Sequence, residues 1–321
     1  MTMLVLYQLP HVVGVVFILG VVYNVLRFLS FHLWTSSRPL QQFQNLSSGG
    51  PSWALISGSS AGLGFGFAHA LVLAGFNVVI HSHQLNELQE AAQMLRALRP
   101  GAQVEVLRFN AMDFKPEELI DASLGLADLP ISILINNVGG CPMGYKELAA
   151  CTDRDIDLMI DLNVRFTTHL TRIALPVLAA QPRALIVNIS SGARIGMPLL
   201  SLYSASKGYI HSLSRSLNLE ALATGRNIRS ISITPGDVVS QSNHLGPFPV
   251  LTPTAEDYTF NAIHKMDTAI SRGLVHMHPD WLHELQYKII DTLPMSLWAQ
   301  SVVTKMLAKQ AKHDAYYNKS R

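Results

Sequence analysis

The chain has 321 residues, enough for one large α/β domain with extensions or for two small domains. Charged residues make up 14% and the formal net charge is +2 with the histidines neutral, so no strong field points to nucleic acid. The mean hydropathy is positive, which excludes a disordered chain and suits one that is membrane-associated or heavily buried. The two cysteines, Cys141 and Cys151, make no disulfide framework, and the 13 histidines fall in no zinc-like spacing, so no metal is expected.

Residues 1–26 contain no Lys, Arg, Asp or Glu. The run is long enough to cross a hydrocarbon core as a helix, which takes about 20 residues. It lacks the basic leader of a cleaved signal peptide. Arg27 and Arg38 follow, with Phe28, Phe31 and Trp34 between them as an interfacial belt. Residues 1–34 are therefore read as a membrane anchor, with the arginines on the cytosolic side. Residues 35–52 are polar, end in Ser47-Ser48-Gly49-Gly50-Pro51 and read as a linker. Asn45-Leu46-Ser47 is a formal glycosylation sequon, inert on that side.

The apolar run Trp53-Ala54-Leu55-Ile56 predicts a strand, followed by the glycine turn Gly58-Ser59-Ser60-Ala61-Gly62-Leu63-Gly64 and a helix over 65–74. Strand, glycine turn and helix together form a dinucleotide-binding context: glycine lets backbone approach a pyrophosphate, and the helix N-terminus favours its charge. Residues 77–80 form the second strand. The loop His81-Ser82-His83-Gln84 after it has no acid to hold a ribose 2′-hydroxyl. That leans toward NADP(H), with Ser82 or His83 near the 2′-phosphate, and leaves NAD(H) open.

Helix 86–98, strand 103–109, helix 115–126 and strand 131–135 follow, the last leading into Asn136-Asn137-Val138-Gly139-Gly140. A long helix is predicted over 153–176 with Asn163 inside it, a residue of poor helix propensity and so a hint of a local task. Residues 184–189 read as a buried strand with Ser190 and Ser191 at its carboxyl end, where open α/β sheets place ligands. Tyr203 and Lys207 share a helix face at i and i+4. A neighbouring ammonium should lower a phenol's pKa and suit it to acid–base work. Strand 226–233 leads to Thr234-Pro235-Gly236-Asp237-Val238-Val239-Ser240. The proline-bearing apolar segment 245–253 suits a flap. A helix over 256–270, a strand at 273–276 and an aromatic-rich helical extension over 279–321 complete the chain; the extension suits a core or dimer helix pair or a membrane-resting surface. The β-α alternation predicts a Rossmann-type, doubly wound parallel sheet over 53–278.

These motifs resemble the short-chain dehydrogenase/reductase family over 53–276. The matching residues are Ser57-Gly58-x-x-x-Gly62-x-Gly64, Asn136-Asn137-Val138-Gly139, Asn163, Ser191 or Ser190, Tyr203, Lys207 and Pro235-Gly236. Within it the chain is similar to the membrane-anchored branch of very-long-chain 3-oxoacyl-CoA reductases and 17β-hydroxysteroid dehydrogenases. The resemblance implies NADPH, the endoplasmic reticulum membrane and a cytosol-facing site that reduces a hydrophobic ketone. It makes Tyr203 the acid, Ser191 the carbonyl-orienting group, Lys207 the partner that tunes Tyr203 and holds the nicotinamide ribose, and Asn163 the holder of a water. Cofactor contacts are implied at Gly58, Ser60, Gly62, Leu63, Gly64, His83, Asn110, Asn137 (adenosine ribose side), Gly139, Tyr203, Lys207, Pro235, Val238 and Ser240 (near the carboxamide). A homodimer through long helices is also implied as a possibility.

The chain departs from that branch in three places. Phe65 and His83 stand where basic residues are usual, Asn110 where an aspartate is, and the loop from the serines to Tyr203 is one residue short. These bear on the NADPH assignment, the adenine contact and the choice between Ser190 and Ser191. A steroid or secondary-metabolite oxidoreductase is the alternative in chemistry, and a non-catalytic binding protein of the same fold is the alternative in class.

Overall fold

The computed structural model describes residues 2–45, 50–239 and 252–318. Seven parallel strands form one sheet in the order β3-β2-β1-β4-β5-β6-β7. They are β1 (Trp53–Ile56), β2 (Asn77–Ser82), β3 (Val104–Arg108), β4 (Ile131–Asn136), β5 (Ala184–Ile189), β6 (Ile228–Ile233) and β7 (His276–Met277). The central strands β1, β2, β4 and β5 are buried along their whole length. That is why their sequences are near-continuous apolar runs and not alternations. Neighbouring residues of β1 feed two separate cores. Ala54 and Ile56 join Phe67, Leu71, Leu88 and Met266, while Trp53 and Leu55 join Phe114, Phe166, Leu170 and Leu217.

The helices that cover the sheet are α2 (Gly62–Leu73), α3 (Leu85–Leu98), α4 (Pro116–Ala122), α5 (Asp153–Ile160), α6 (Phe166–Ala179), α7 (Ser201–Ala223) and α8 (Ala255–Ser271). They are preceded by α1 (Thr2–Leu33) and followed by α9 (Trp281–Thr292) and α10 (Met295–Asn318). Strand order reverses between β1 and β4, which opens a crevice at their carboxyl ends. A Cβ on Gly66 would sit 2.4 Å from Thr259 Oγ1. A bare backbone there lets α2 and α8 pack closely.

Three expectations change. The long helix over 153–176 is broken by a π turn, Asp161–Arg165. The wider turn carries a fully buried Asn163 whose amide reaches the backbone of Gly140. The stretch read as a linker is packed: Leu40 and Phe43 are buried, and the Leu40 amide donates to Asp267 Oδ2 at 2.8 Å. Phe31, read as interfacial, is part of the core. The flap segment lies outside the described residues apart from Thr252 and Pro253, as does the Ser47 of the sequon.

Candidate active site

The floor of the crevice is a tight turn after β1. Gly58 and Gly62 have φ of +63° and +57°, values that favour glycine. A Cβ on Gly64 would lie 2.0 Å from the Gly58 carbonyl oxygen and 2.6 Å from Asn137 Nδ2, so the first turn of α2 is pressed against the glycine loop. Ser57 Oγ accepts from the amides of Asn137 (3.0 Å) and Val138 (3.1 Å). Asn137 Nδ2 returns bonds to the carbonyls of Ser57 (3.1 Å) and Gly58 (2.8 Å). The Asn137 Nδ2 group thus ties β1 to β4, while the residue lines the cavity above the turn.

Sequence reasoning missed His81 as part of this frame. It lies on β2, accepts from the Gly58 amide through Nδ1 at 3.1 Å and stacks on Phe166 with ring centroids 5.0 Å apart. Burial pulls its pKa down to about 4. It is therefore a neutral acceptor at physiological pH. The only sequence signal was that a strand of four could run on by two residues.

A cavity of about 480 Å³ rises from this floor, lined by Gly58, Ser60, Gly62, Leu63, His83, Asn110, Asn137, Gly139, Tyr203, Lys207 and Pro235. Gly64 is packed behind it, Val238 lines the neighbouring cavity, and Ser240 lies outside the described residues. The N-cap of α2, Ala61, supplies no side-chain cap, so the first amides of the helix are available to an anion. Asn110 Oδ1 accepts from the Met112 amide at 3.1 Å and fixes the loop after β3. Glu87, unnoticed in the sequence, brings a carboxylate to this end and accepts from Ser60 Oγ at 2.9 Å. Among the described lining residues Lys207 is the one Lys or Arg, and it stands at the far end.

That far end gathers the remaining candidates. Ser190 Oγ donates to the Lys207 carbonyl at 2.8 Å and is buried, so it holds β5 to α7. Ser191 Oγ accepts from the Ala193 amide at 3.1 Å and hydrogen-bonds Tyr203. Of the two serines, Ser191 faces the phenol. Lys207 Nζ donates to the Ile189 carbonyl at 3.0 Å and lies 5.6 Å from the centroid of the Tyr203 ring. Asn163 accepts from the Gly140 amide and donates to the Gly140 carbonyl, both at 2.9 Å. Its side chain is thereby a clamp on that loop. A Cβ on Gly139 would come within 2.6 Å of Lys207 Nζ and 2.8 Å of Asn163 Oδ1. Only a bare backbone leaves room above both.

One electrostatic expectation is reversed. Burial pushes the Tyr203 phenol up to about 12, with the Ser191 hydrogen bond pulling the other way. Lys207 contributes no lowering; its own pKa falls to about 8 because the ammonium is desolvated. Four residues' spacing brings the two side chains to one face, but the ammonium is drawn to the Ile189 carbonyl. Tyr203 is thus a neutral phenol across the physiological range, a state suited to proton donation.

A second cavity of about 580 Å³ adjoins the first. Tyr203 lines both, with Lys207 on the first side and Ser191 on the second. Apolar residues of α9 and α10, including Ile290, Val302 and Met306, wall the second cavity. Lys305 and Lys309 stand at it, both paired to Asp237 at 2.9 and 2.5 Å. Tyr287 presses on a position that must be glycine: a Cβ on Gly192 would sit 1.5 Å from its hydroxyl.

The family model described as short chain dehydrogenase matches residues 52–245. The chain belongs to that family. As a short chain dehydrogenase it is an NAD(P)-dependent oxidoreductase acting on the alcohol/carbonyl pair. It is 29% identical over 302 residues to the very-long-chain 3-oxoacyl-CoA reductase of Homo sapiens, covering 91% of this chain and 92% of that one. Against the rat 17-beta-hydroxysteroid dehydrogenase type 3 it is 29% identical over 261 residues, 80% of this chain and 81% of the relative. Its fold is shared with a short-chain dehydrogenase from Sphingobium yanoikuyae solved in complex with NADPH. The TM-score is 0.61 at 23% identity, covering 76% of this chain and 96% of that one.

Proposed function

We propose that this dehydrogenase is a membrane-anchored, NADP(H)-dependent ketoreductase that reduces a long-chain 3-oxoacyl thioester to the 3-hydroxy product. The observation that carries the reading is that one phenol is shared by two cavities, with the serine on one side and the lysine on the other. The first cavity fits a dinucleotide. Its glycine turn bares backbone amides at an uncapped helix start, and Gly139 leaves a bare face beside Lys207. Ser60, Gly62 and Leu63 would hold the pyrophosphate, Ser82 and His83 the 2′-phosphate end, and Lys207 the nicotinamide ribose. When bound, the nicotinamide supplies the hydride.

The chain's own residues do the rest. Ser191, already accepting from the Ala193 amide, has its hydroxyl hydrogen available to orient a carbonyl oxygen. Tyr203 gives that oxygen its proton as negative charge develops on it. Asn163 and Gly140 keep the loop at Gly139 off the Lys207 ammonium. The apolar walls of the second cavity suit an acyl chain, and two lysines against one aspartate at Lys305, Lys309 and Asp237 leave a positive balance for the phosphates of a coenzyme A ester. The relatives named for very-long-chain 3-oxoacyl-CoA and for 17-beta-hydroxysteroids support a large apolar ketone. The uncharged run at 2–26 followed by Arg27 supports a membrane anchor with the site facing the cytosol, and the kinship to very-long-chain 3-oxoacyl-CoA reductases supports the endoplasmic reticulum as its membrane.

The test is NADPH-dependent reduction of a panel of 3-oxoacyl-CoA esters and steroid ketones by the full-length protein and by Tyr203→Phe. Loss of general-acid catalysis costs about 10²–10⁴-fold. Retention of most of the activity by Tyr203→Phe, or a preference for steroid over acyl ketones, overturns the respective half of the reading.

A further inference from the structure

Helix α9 runs back along the foot of the apolar N-terminal helix. Glu284 on α9 pairs with His32 of α1 at 2.7 Å. One turn further along α9, the Lys288 ammonium lies 4.9 Å from the ring centroid of Phe28, one turn earlier in α1. Asp291 and Asn24 continue the series as walls of one crevice. Advancing along α9 therefore means moving back along α1, and the two helices are antiparallel at this joint. Residues 2–26 carry no Lys, Arg, Asp or Glu and the first charge is Arg27. At a rise of about 1.5 Å per residue, Leu293 lies about 6 Å past the level of Arg27, toward the uncharged end.

The turn between α9 and α10 is composed for that depth. Between Asp291 and Lys305 no residue is charged. Leu293, Met295 and Leu297 are 42%, 68% and 67% exposed, an unusual outward display on a folded surface. Just above it the acids are paired, Asp291 with Arg194 at 3.3 Å and Glu284 with His32 and Lys288. The same crevice holds Arg27, Arg194, Arg272 and Lys288 against those two carboxylates. Such a positive balance is complementary to anionic headgroups.

We propose that the α9–α10 elbow is a second membrane contact, inserted in the headgroup–acyl boundary of the leaflet that α1 leaves. The occupant is the lipid bilayer: the elbow lies beside the uncharged stretch of α1, where a soluble partner would have to displace lipid to reach it. The depth matches the roughly 5–10 Å of interfacial elements. The inner faces of the same two helices carry Tyr287, Ile290, Val302 and Met306, which line the second cavity. The elbow thus joins two helices that wall the substrate chamber. The proposal rests on α1 being a membrane span, and the test separates the two.

The full-length protein is reconstituted in phosphatidylcholine/phosphatidylserine vesicles with or without brominated acyl chains. The four tryptophans are Trp34, Trp53, Trp281 and Trp298, and Trp53 is a buried internal reference. In Trp34→Phe/Trp281→Phe, brominated lipid is expected to quench the Trp298 emission and to leave that of Trp53 unchanged. A partner reporter, Tyr23→Trp in a chain with Trp298→Phe as well, reads the span itself. Adding Met295→Glu and Leu297→Glu is expected to abolish Trp298 quenching while Tyr23→Trp stays quenched. If Tyr23→Trp is quenched and Trp298 is not, the elbow is covered by protein or faces water, and the proposal falls with the anchor intact. If neither is quenched, both fall.

Discussion

Lys207→Met separates the cost of a buried ammonium from its use. Lys207 is 3% exposed and its amine titrates at about 8 in the fold, against 10.5 in an open chain. Desolvation is the cause. Because the folded value is the lower one, the unfolded chain binds more protons between pH 8 and 10.5, and the fold gains stability as pH rises through that window. Below pH 8 the cost is fully present, about 3 kcal/mol at about 1.4 kcal/mol per pH unit. At pH 9.5 about 1.4 kcal/mol of it remains, so the wild type should gain about 2 kcal/mol relative to Lys207→Met between pH 7 and 9.5. The lost hydrogen bond to the Ile189 carbonyl is common to both pH values and drops out of this difference. For a domain of this size the gap corresponds to roughly 4–8 °C in Tm. The assay is thermal unfolding of both full-length proteins in detergent across that range, beside NADPH turnover, which Lys207→Met should abolish at every pH. Parallel stability–pH curves would show that the ammonium carries no desolvation cost, and the reading of the site as an ammonium held ready for a ligand would fail.

The same titration predicts that kcat/KM for ketone reduction is level from pH 6 to about 7.5 and declines above about 8, as Lys207 loses its charge in the free enzyme; a profile still rising at pH 9 contradicts it. Ser191→Ala should lower kcat by about 10²-fold with little change in stability. Ser190→Ala should cost about 1 kcal/mol of stability through the lost bond to the Lys207 carbonyl and lower kcat far less; the reverse ranking would exchange the two serines. Gly192→Ala places a methyl 1.5 Å from the Tyr287 hydroxyl, so it should destabilise by about 1–3 kcal/mol. Tyr287→Ala in the same chain should restore most of that, and additive effects in the double-mutant cycle would refute the contact. Glu87→Gln removes a carboxylate from the adenosine end and should lower the KM for NADPH several-fold more than that for NADH. Equal shifts would place the 2′-phosphate elsewhere.

Much of this protein was legible in one dimension because the relevant signals are local. Buried parallel strands must be apolar on both faces, so the runs at 53–56, 131–135 and 184–189 announced β1, β4 and β5. Glycines at 58 and 62 announced a turn of positive φ, and the spacing of Tyr203 and Lys207 announced a shared helix face. What chemistry each side chain performs depended on partners distant in the chain. Ser190 and Ser191 are adjacent and identical, and only the fold shows one bonded to Lys207 and the other to Tyr203. The sign of the Tyr203 shift came from burial, which no spacing reveals, and Lys207 turned to the Ile189 carbonyl instead of the phenol. The π turn at Asn163, the recruitment of His81 and Glu87 to the cavity, and the return of α9 along α1 are likewise meetings across the chain. Backbone conformation and hydrophobic period are written residue by residue, whereas desolvation and hydrogen-bond choice are properties of what surrounds a side chain once the sheet has closed.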